Sequence, residues 1–295
     1  VNICIKPAEP NYSFTIIRPS AQRNVITKDI SPMIRDFFIN ESIDLFQTSQ
    51  TTQDQNVWVQ WEVYIEDSLD DDSSPKIAVE GYTEYLDNIN FEPDINGKVL
   101  ISSANKKIWN KGLLIAPVSI TDITQIEVYR DGTLDQTVDV GSLAISRLDS
   151  ANQIYYVVLS DIENNKNIEV RTSLDSYTFD VICEHKFEPV NLIFKNKLGV
   201  YENLYLFKKP QNSLEVERQD FKTGDSTGLT YDTSLGQYRK FNTKGKESIS
   251  ATTGFVPQSF NKTLEQLLLS ERTFIQNDKL IPVNITSNSE EFKTQ

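Results

Sequence analysis

The chain has 295 residues, 38% of them hydrophobic and 10% aromatic, and its 29 Lys and Arg against 42 Asp and Glu give a net charge of −13. That length admits two or three ordinary domains, and the aromatic and apolar content excludes a disordered chain, which would lack the surface to form a core. The acidic balance excludes a general nucleic-acid binder, because phosphate binding needs clustered Lys and Arg to release counterions.

The acid is unevenly spread. Between Glu62 and Asp94 there are 11 Asp and Glu against the single Lys76, so this stretch alone holds −10 of the −13. Two cysteines, Cys4 and Cys183, are too few for a disulfide framework and are expected as reduced, apolar-side thiols. No apolar run approaches the roughly 18 residues of a membrane span, and Val1 opens no signal-peptide pattern, so the chain is expected to be soluble when made. A start at Val1 and a polar end at Ser287 to Gln295 point to a processed chain or a piece of a longer one.

In chain order, Asn11 to Thr27 reads as two strands interrupted at Pro19. A short helix follows near 31–39, with Asp29 or Ser31 as cap, Pro32 in its first turn, and Ile34, Phe37 and Phe38 on one face. Thr48 to Asn56 is a Gln- and Thr-rich loop. Val57 to Ile65 then alternates so that Val57, Val59, Trp61, Val63 and Ile65 share a core face, and Lys76 to Leu86 returns as the next strand. From Leu113 to Glu184, short strands are expected at 113–120, 125–129, 133–140, 154–160, 168–172 and 177–182. Asp131-Gly132 marks a hairpin between two of them.

Val190 to Phe221 is the most strongly patterned stretch and reads as a three-stranded meander. Val190, Leu192 and Phe194 lie in the first strand, Gly199 in the turn, Tyr201 to Phe207 in the second strand, and Leu214, Val216 and Arg218 in the third after a Pro210 turn. Thr223 to Thr253 is a Gly-, Thr-, Ser- and Lys-rich arm or a pair of extended strands, expected to be poorly ordered in the free subunit, with Tyr231, Tyr238 and Phe241 as anchors for a neighbour. Ser259 caps a helix near 259–270 striped by Leu264, Leu267 and Leu268, and Leu280 to Ile285 closes as a strand. The fold expected is mainly β: tandem antiparallel β-sandwich (immunoglobulin-like) domains with a few short helices, divided as 1–112, 113–186 and 187–295.

Several residues invite chemistry and fall short of it. Cys183 and His185, the only histidine, share a strand face but lack an orienting third group. Glu66, Asp67, Asp70, Asp71 and Asp72 lack the glycine and ligand spacing of a calcium loop. Trp58, Trp61 and Trp109 suggest a sugar platform, but Trp61 alternates inward, which leaves Trp58 and Trp109 as exposed candidates. No phosphate loop, dinucleotide turn, zinc spacing or nucleophile elbow is present, so no catalytic residue, cofactor or metal is expected.

The segment Cys183-Glu184-His185-Lys186, the run VNLIFKNKLGVYENLYLFKK, and then LEVERQDFK and YDTSLGQYRKFNTKG form a pattern. With DISPMIRDFF, VEGYTEYLD and GKVLISSANKKIW before it, this pattern resembles one that recurs in virion structural proteins of tailed bacteriophages. The resemblance implies a tail or baseplate component, assembled in the host cytoplasm into the virion, whose partners are copies of itself and other tail or baseplate proteins. It names no catalytic residue. The interface candidates are Tyr231, Tyr238, Phe241, Trp58 and Trp109. The competing expectation is a carbohydrate-binding module of a phage adsorption apparatus that recognises a host-surface glycan.

Overall fold

The computed structural model describes residues 2–4, 58–65, 68–69, 76–79, 81–82, 95–103, 106–142, 154–184, 186–222, 234, 236, 238–254 and 256–287. These residues are mainly β. The first sheet is built on β2 (Trp58–Ile65), which pairs antiparallel with β1 (Asn2–Cys4), β3 (Ser68–Leu69) and β4 (Lys76–Val79). Of the alternating run expected at 57–65, Trp58–Ile65 is therefore a strand, and its register sets Val63 against Ile3 and Val59 against Ala78. The side chains of this sheet, including the inward placement expected for Trp61, lie outside the described residues, as do the helix expected near 31–39 and the Gln-rich loop.

Seven strands follow: β5 (Lys106–Trp109), β6 (Leu114–Ser119), β7 (Gln125–Arg130), β8 (Thr133–Asp139), β9 (Ile154–Leu159), β10 (Asn167–Arg171) and β11 (Ser176–Ile182). Five of them form a sheet in the order β5-β11-β10-β7-β8, in which β5 runs parallel to β11 and all other pairs are antiparallel; β6 and β9 make a second sheet. β5 precedes residue 113, the expected start of this unit, and is still an integral edge of its sheet. The turn between β7 and β8 holds Asp131 at φ 49 and Gly132 at φ 80, the left-handed pair a two-residue hairpin needs, as the Asp-Gly signal predicts.

A third sheet is ordered β13-β12-β16-β17, from β12 (Val190–Lys195), β13 (Tyr201–Leu206), β16 (Thr273–Gln276) and β17 (Leu280–Val283), and the helix α1 (Asn261–Leu269) packs near β12. Pro282 is tolerated because β17 is an edge strand. The turn at Asn196 to Gly199 forms as expected, with Gly199 at φ 77. The expected third strand of the meander does not join this sheet. Instead β14 (Gln211–Lys222) leaves it and pairs with β15 (Tyr238–Ser250), while β16 takes the place beside β12. The physical reason is burial: Phe274 and Ile275 of β16 pack into cores, whereas every residue of β14 is exposed.

The layers follow from alternation. Leu114, Ala116 and Val118 of β6, with Tyr155, Val157 and Leu159 of β9, meet Ile108, Ile126, Val128, Ile168, Val170 and Phe179 of the five-stranded sheet. On the opposite face Ile115, Ile154, Tyr156 and Val158 meet Ile193 and Tyr201 of the third sheet. Covered on both sides, β6 and β9 read as unbroken apolar runs instead of alternating ones. The other face of the third sheet, Leu192, Phe194, Leu204, Leu206 and Ile275, is closed by Phe260 and Leu267 of the helical segment. Leu264 also packs there, but the helix starts one residue later than a Ser259 cap predicts, after a 3-10 turn at Gln258–Phe260, and no side chain caps it.

The second edge of β6 is satisfied without a strand. Leu100 N–H donates to the Pro117 carbonyl at 2.8 Å, and Ser119 N–H donates to the Lys98 carbonyl at 2.9 Å. Further along, the Leu113 N–H donates to the Tyr205 hydroxyl at 2.7 Å, that hydroxyl donates to the Leu113 carbonyl at 2.8 Å, and Asn203 takes the Ile115 N–H at 3.3 Å. Two side chains of β13 thus do the work of a missing strand, as buried backbone groups require. Burial also raises the Tyr205 phenol well above its ordinary pKa.

Candidate interface: the exposed ribbon

β14 and β15, of 12 and 13 residues, form a two-stranded sheet by themselves. At about 3.3 Å per residue the ribbon is about 40 Å long. Every residue of both strands is exposed, so neither face is packed on the body.

Cross-strand pairs hold the ribbon in register. Glu215 opposes Lys246, Glu217 opposes Lys244 and Asp220 opposes Lys240, each an attractive pair, and the hydroxyls of Ser213 and Ser248 are 2.7 Å apart. The register shifts beside Arg218, where β15 carries one extra residue and Asn242 adopts φ 48, the bulge that re-aims the tip. Beyond it the rings of Phe221 and Phe241 meet edge-on with centroids 5.6 Å apart. Nearer the body, Leu214 and Val216 share a face with Ile249, which is opposite Asn212 in the ladder.

Such a ribbon is at the limit of stability on its own, since an isolated hairpin in water buries too little to offset its ordering. It also exposes six large apolar side chains: Leu214, Val216, Phe221, Tyr238, Phe241 and Ile249. Its charge differs from that of the chain. Arg218, Lys222, Arg239, Lys240, Lys244 and Lys246 against Glu215, Glu217, Asp220 and Glu247 give the ribbon +2, on a chain of −13.

Of the expected interface residues, the structure brings Tyr238 and Phe241 onto this ribbon, 67% and 45% exposed. Tyr231 lies outside the described residues, as does the Trp58 side chain. Trp109 is half-buried, packs against the larger core, and donates its indole N–H to the Glu184 carbonyl at 3.4 Å, so it is no open platform. Leu214, Val216, Phe221 and Ile249 were not expected here. The alternation of Leu214 and Val216 is visible in the sequence, where it places them in the third strand of the meander.

One polar cluster has the composition of a reaction site. Lys106 and Glu202, 1% and 0% exposed, lie with Nζ 3.4 Å from Oε2. The Ser102 N–H donates to the same Oε2 at 2.9 Å, its hydroxyl contacts Oε1, and Thr263 is 3.0 Å from that hydroxyl. Burial lowers the Lys106 pKa, opposed by the Glu202 charge and hydrogen bond. With both charged groups closed off from solvent, this arrangement ties β5, β13 and α1 together and offers no substrate access. Cys183 is exposed, in no disulfide among the described residues, and its sulfur accepts from the Asn110 amide at 3.5 Å; His185 lies outside the described residues. Among the described residues no group of three or more His, Cys, Asp or Glu is placed to hold a metal ion, and no helix is long and apolar enough to cross a membrane.

No protein-family model, no curated protein and no solved structure matches this chain.

Proposed function

We propose that this protein is a non-enzymatic structural subunit of a tailed-phage tail or baseplate and that the β14–β15 ribbon is its assembly surface. The observation that carries this reading is a ribbon of 12 and 13 residues, exposed on both faces, with aromatic and aliphatic groups at its tip and base. A monomer gains nothing from it, whereas a neighbour that covers it supplies the missing burial and edge hydrogen bonds. The phage assignment rests on the resemblance of the sequence pattern.

The same reading takes residues 106–182 as an immunoglobulin-like sandwich. Its support is the strand order: five strands with a parallel first strand beside the last, over a two-stranded partner sheet, around one shared core. Rigid blocks of this kind hold the ribbon at a fixed place on the body.

The test replaces 211–250 by a two-residue Asn-Gly turn. The Gln211–Ser250 pairing brings the two ends together, so the turn closes the chain without strain. The shortened chain should melt like the full chain and fail to enter particles, while antibody against the full chain should label the tails of purified particles. A shortened chain that enters particles normally, or label absent from particles, defeats the proposal.

A further inference from the structure

We propose that the lysine-rich outer edge of β15 in one copy pairs with the outer edge of β8 in a second copy, continuing the five-stranded sheet into the ribbon. This assignment of the partner depends on the ribbon being an assembly surface.

β8 ends its sheet, and among the described residues no backbone hydrogen bond reaches its outer side. Its seven residues, Thr133 to Asp139, contain no proline, and six of them are exposed. Natural edge strands of this length are usually covered or interrupted, because a row of free N–H and carbonyl groups is a template for another strand. β8 is bulged once opposite Val128 and Tyr129, and among the described residues no strand lies on its outer side.

Charge decides which of the ribbon's two edges fits. β15 carries Arg239, Lys240, Lys244 and Lys246 against Glu247, a net of +3, whereas β14 carries Arg218 and Lys222 against Glu215, Glu217 and Asp220, a net of −1. β8 carries Asp135 and Asp139 and no base. Asp135 is paired with Arg130 at 2.8 Å and Asp139 accepts the Gly141 N–H, but the β7–β8 hairpin from Gln125 to Asp139 still nets −3. Pairing β15 with β8 sets opposite charges side by side. Pairing β15 with another β15 would oppose lysines with lysines, and β8 with another β8 would oppose aspartates, so both self-pairings are disfavoured. Leu134, 49% exposed on β8, supplies an apolar contact for the ribbon's exposed side chains. Because two different surfaces meet, the contact is head-to-tail and builds a ring or a row of copies.

The experiment is sedimentation velocity on the full chain under reducing conditions, which keep Cys183 from cross-linking, at low and high salt. Two charge-reversed proteins are compared, Asp135→Lys with Asp139→Lys, and Lys240→Glu with Lys244→Glu and Lys246→Glu. The wild type should self-associate with increasing concentration and weaken at least tenfold at high salt. Each reversed protein alone should remain monomeric where the wild type associates, and mixing the two should restore association. Wild type that stays monomeric at every concentration overturns the proposal. If the β8 protein associates normally while the β15 protein does not, the partner is wrong and the ribbon reading stands; if both associate normally, the ribbon reading itself fails. Hydrogen exchange on the wild type gives a measure that does not depend on the variants folding: residues 133–139 and 238–250 should gain protection together on association, and protection of only one of them contradicts the pairing.

Discussion

Lys106→Met isolates the energetics of the buried ion pair. The substitution keeps an unbranched side chain of similar length in the β5 position and removes only the charge, leaving Glu202 with no cation in a site that is 0% exposed. Breaking a buried pair in this way costs about 3 to 5 kcal/mol, because the remaining charge stays desolvated and uncompensated. At about 2 to 4 °C per kcal/mol for a body of this size, the melting temperature should fall by about 6 to 20 °C. Replacing both partners, Lys106→Met with Glu202→Leu, should recover most of the loss, since the desolvation cost disappears together with the attraction.

The same pair makes a pH prediction. Burial lowers the Lys106 pKa in the folded chain below its ordinary 10.5, so over the window between the two values the unfolded chain binds more protons than the folded one. Stability should therefore rise with pH through that window, and Lys106→Met should remove the rise. Above about pH 10 the buried tyrosines oppose it: Tyr155 is pushed up to about 12, and Tyr177 and Tyr205 are also raised, all chiefly by burial, so the unfolded chain ionises first and stability falls. Urea melts from pH 7 to 11 follow both slopes. A Lys106→Met protein that melts within 1 °C of the wild type, with the same pH slope, would refute the buried-charge reasoning.

Tyr205→Phe should cost about 1 to 3 kcal/mol by leaving the buried Leu113 N–H without its acceptor, while the Leu113 carbonyl keeps the Asn203 amide, as read from chemical denaturation. Phe179→Ala removes a fully buried ring at the centre of the larger core and should cost about 3 to 5 kcal/mol, unless the body repacks to fill the space. By contrast, Phe221→Ser with Phe241→Ser should leave the melting temperature within about 1 °C and weaken self-association, because these rings are exposed and, among the described residues, pack on each other.

The strands from 113 to 184 were legible because their alternation, their spacing and the Asp131-Gly132 turn all agree. β5 was not. It has four residues, two of them Lys, and nothing local shows that Lys106 is buried; its counter-charge, Glu202, is almost a hundred residues away. The same limit explains β14. Alternation tells which residues share a face but not which strand lies beside them, and a face carrying Leu214 and Val216 looks the same in sequence whether it enters a core or stands in water. β15 was hidden by composition: its Gly, Thr, Ser and Lys residues suit an exposed ribbon as well as a disordered arm. The helix start was displaced because Phe260, at the place of the cap, is anchored in the third core instead of by a side-chain hydrogen bond.

The most direct test of the central claim is hydrogen exchange across the ribbon, compared between the free chain and the assembled particle. The account predicts that Gln211–Lys222 and Tyr238–Ser250 exchange rapidly in the free chain and slow at least tenfold on assembly, while the strands of the three cores are slow in both. Equal exchange of the ribbon in the free and assembled states would contradict it, since a surface covered by a neighbour cannot stay as open to water as it was before.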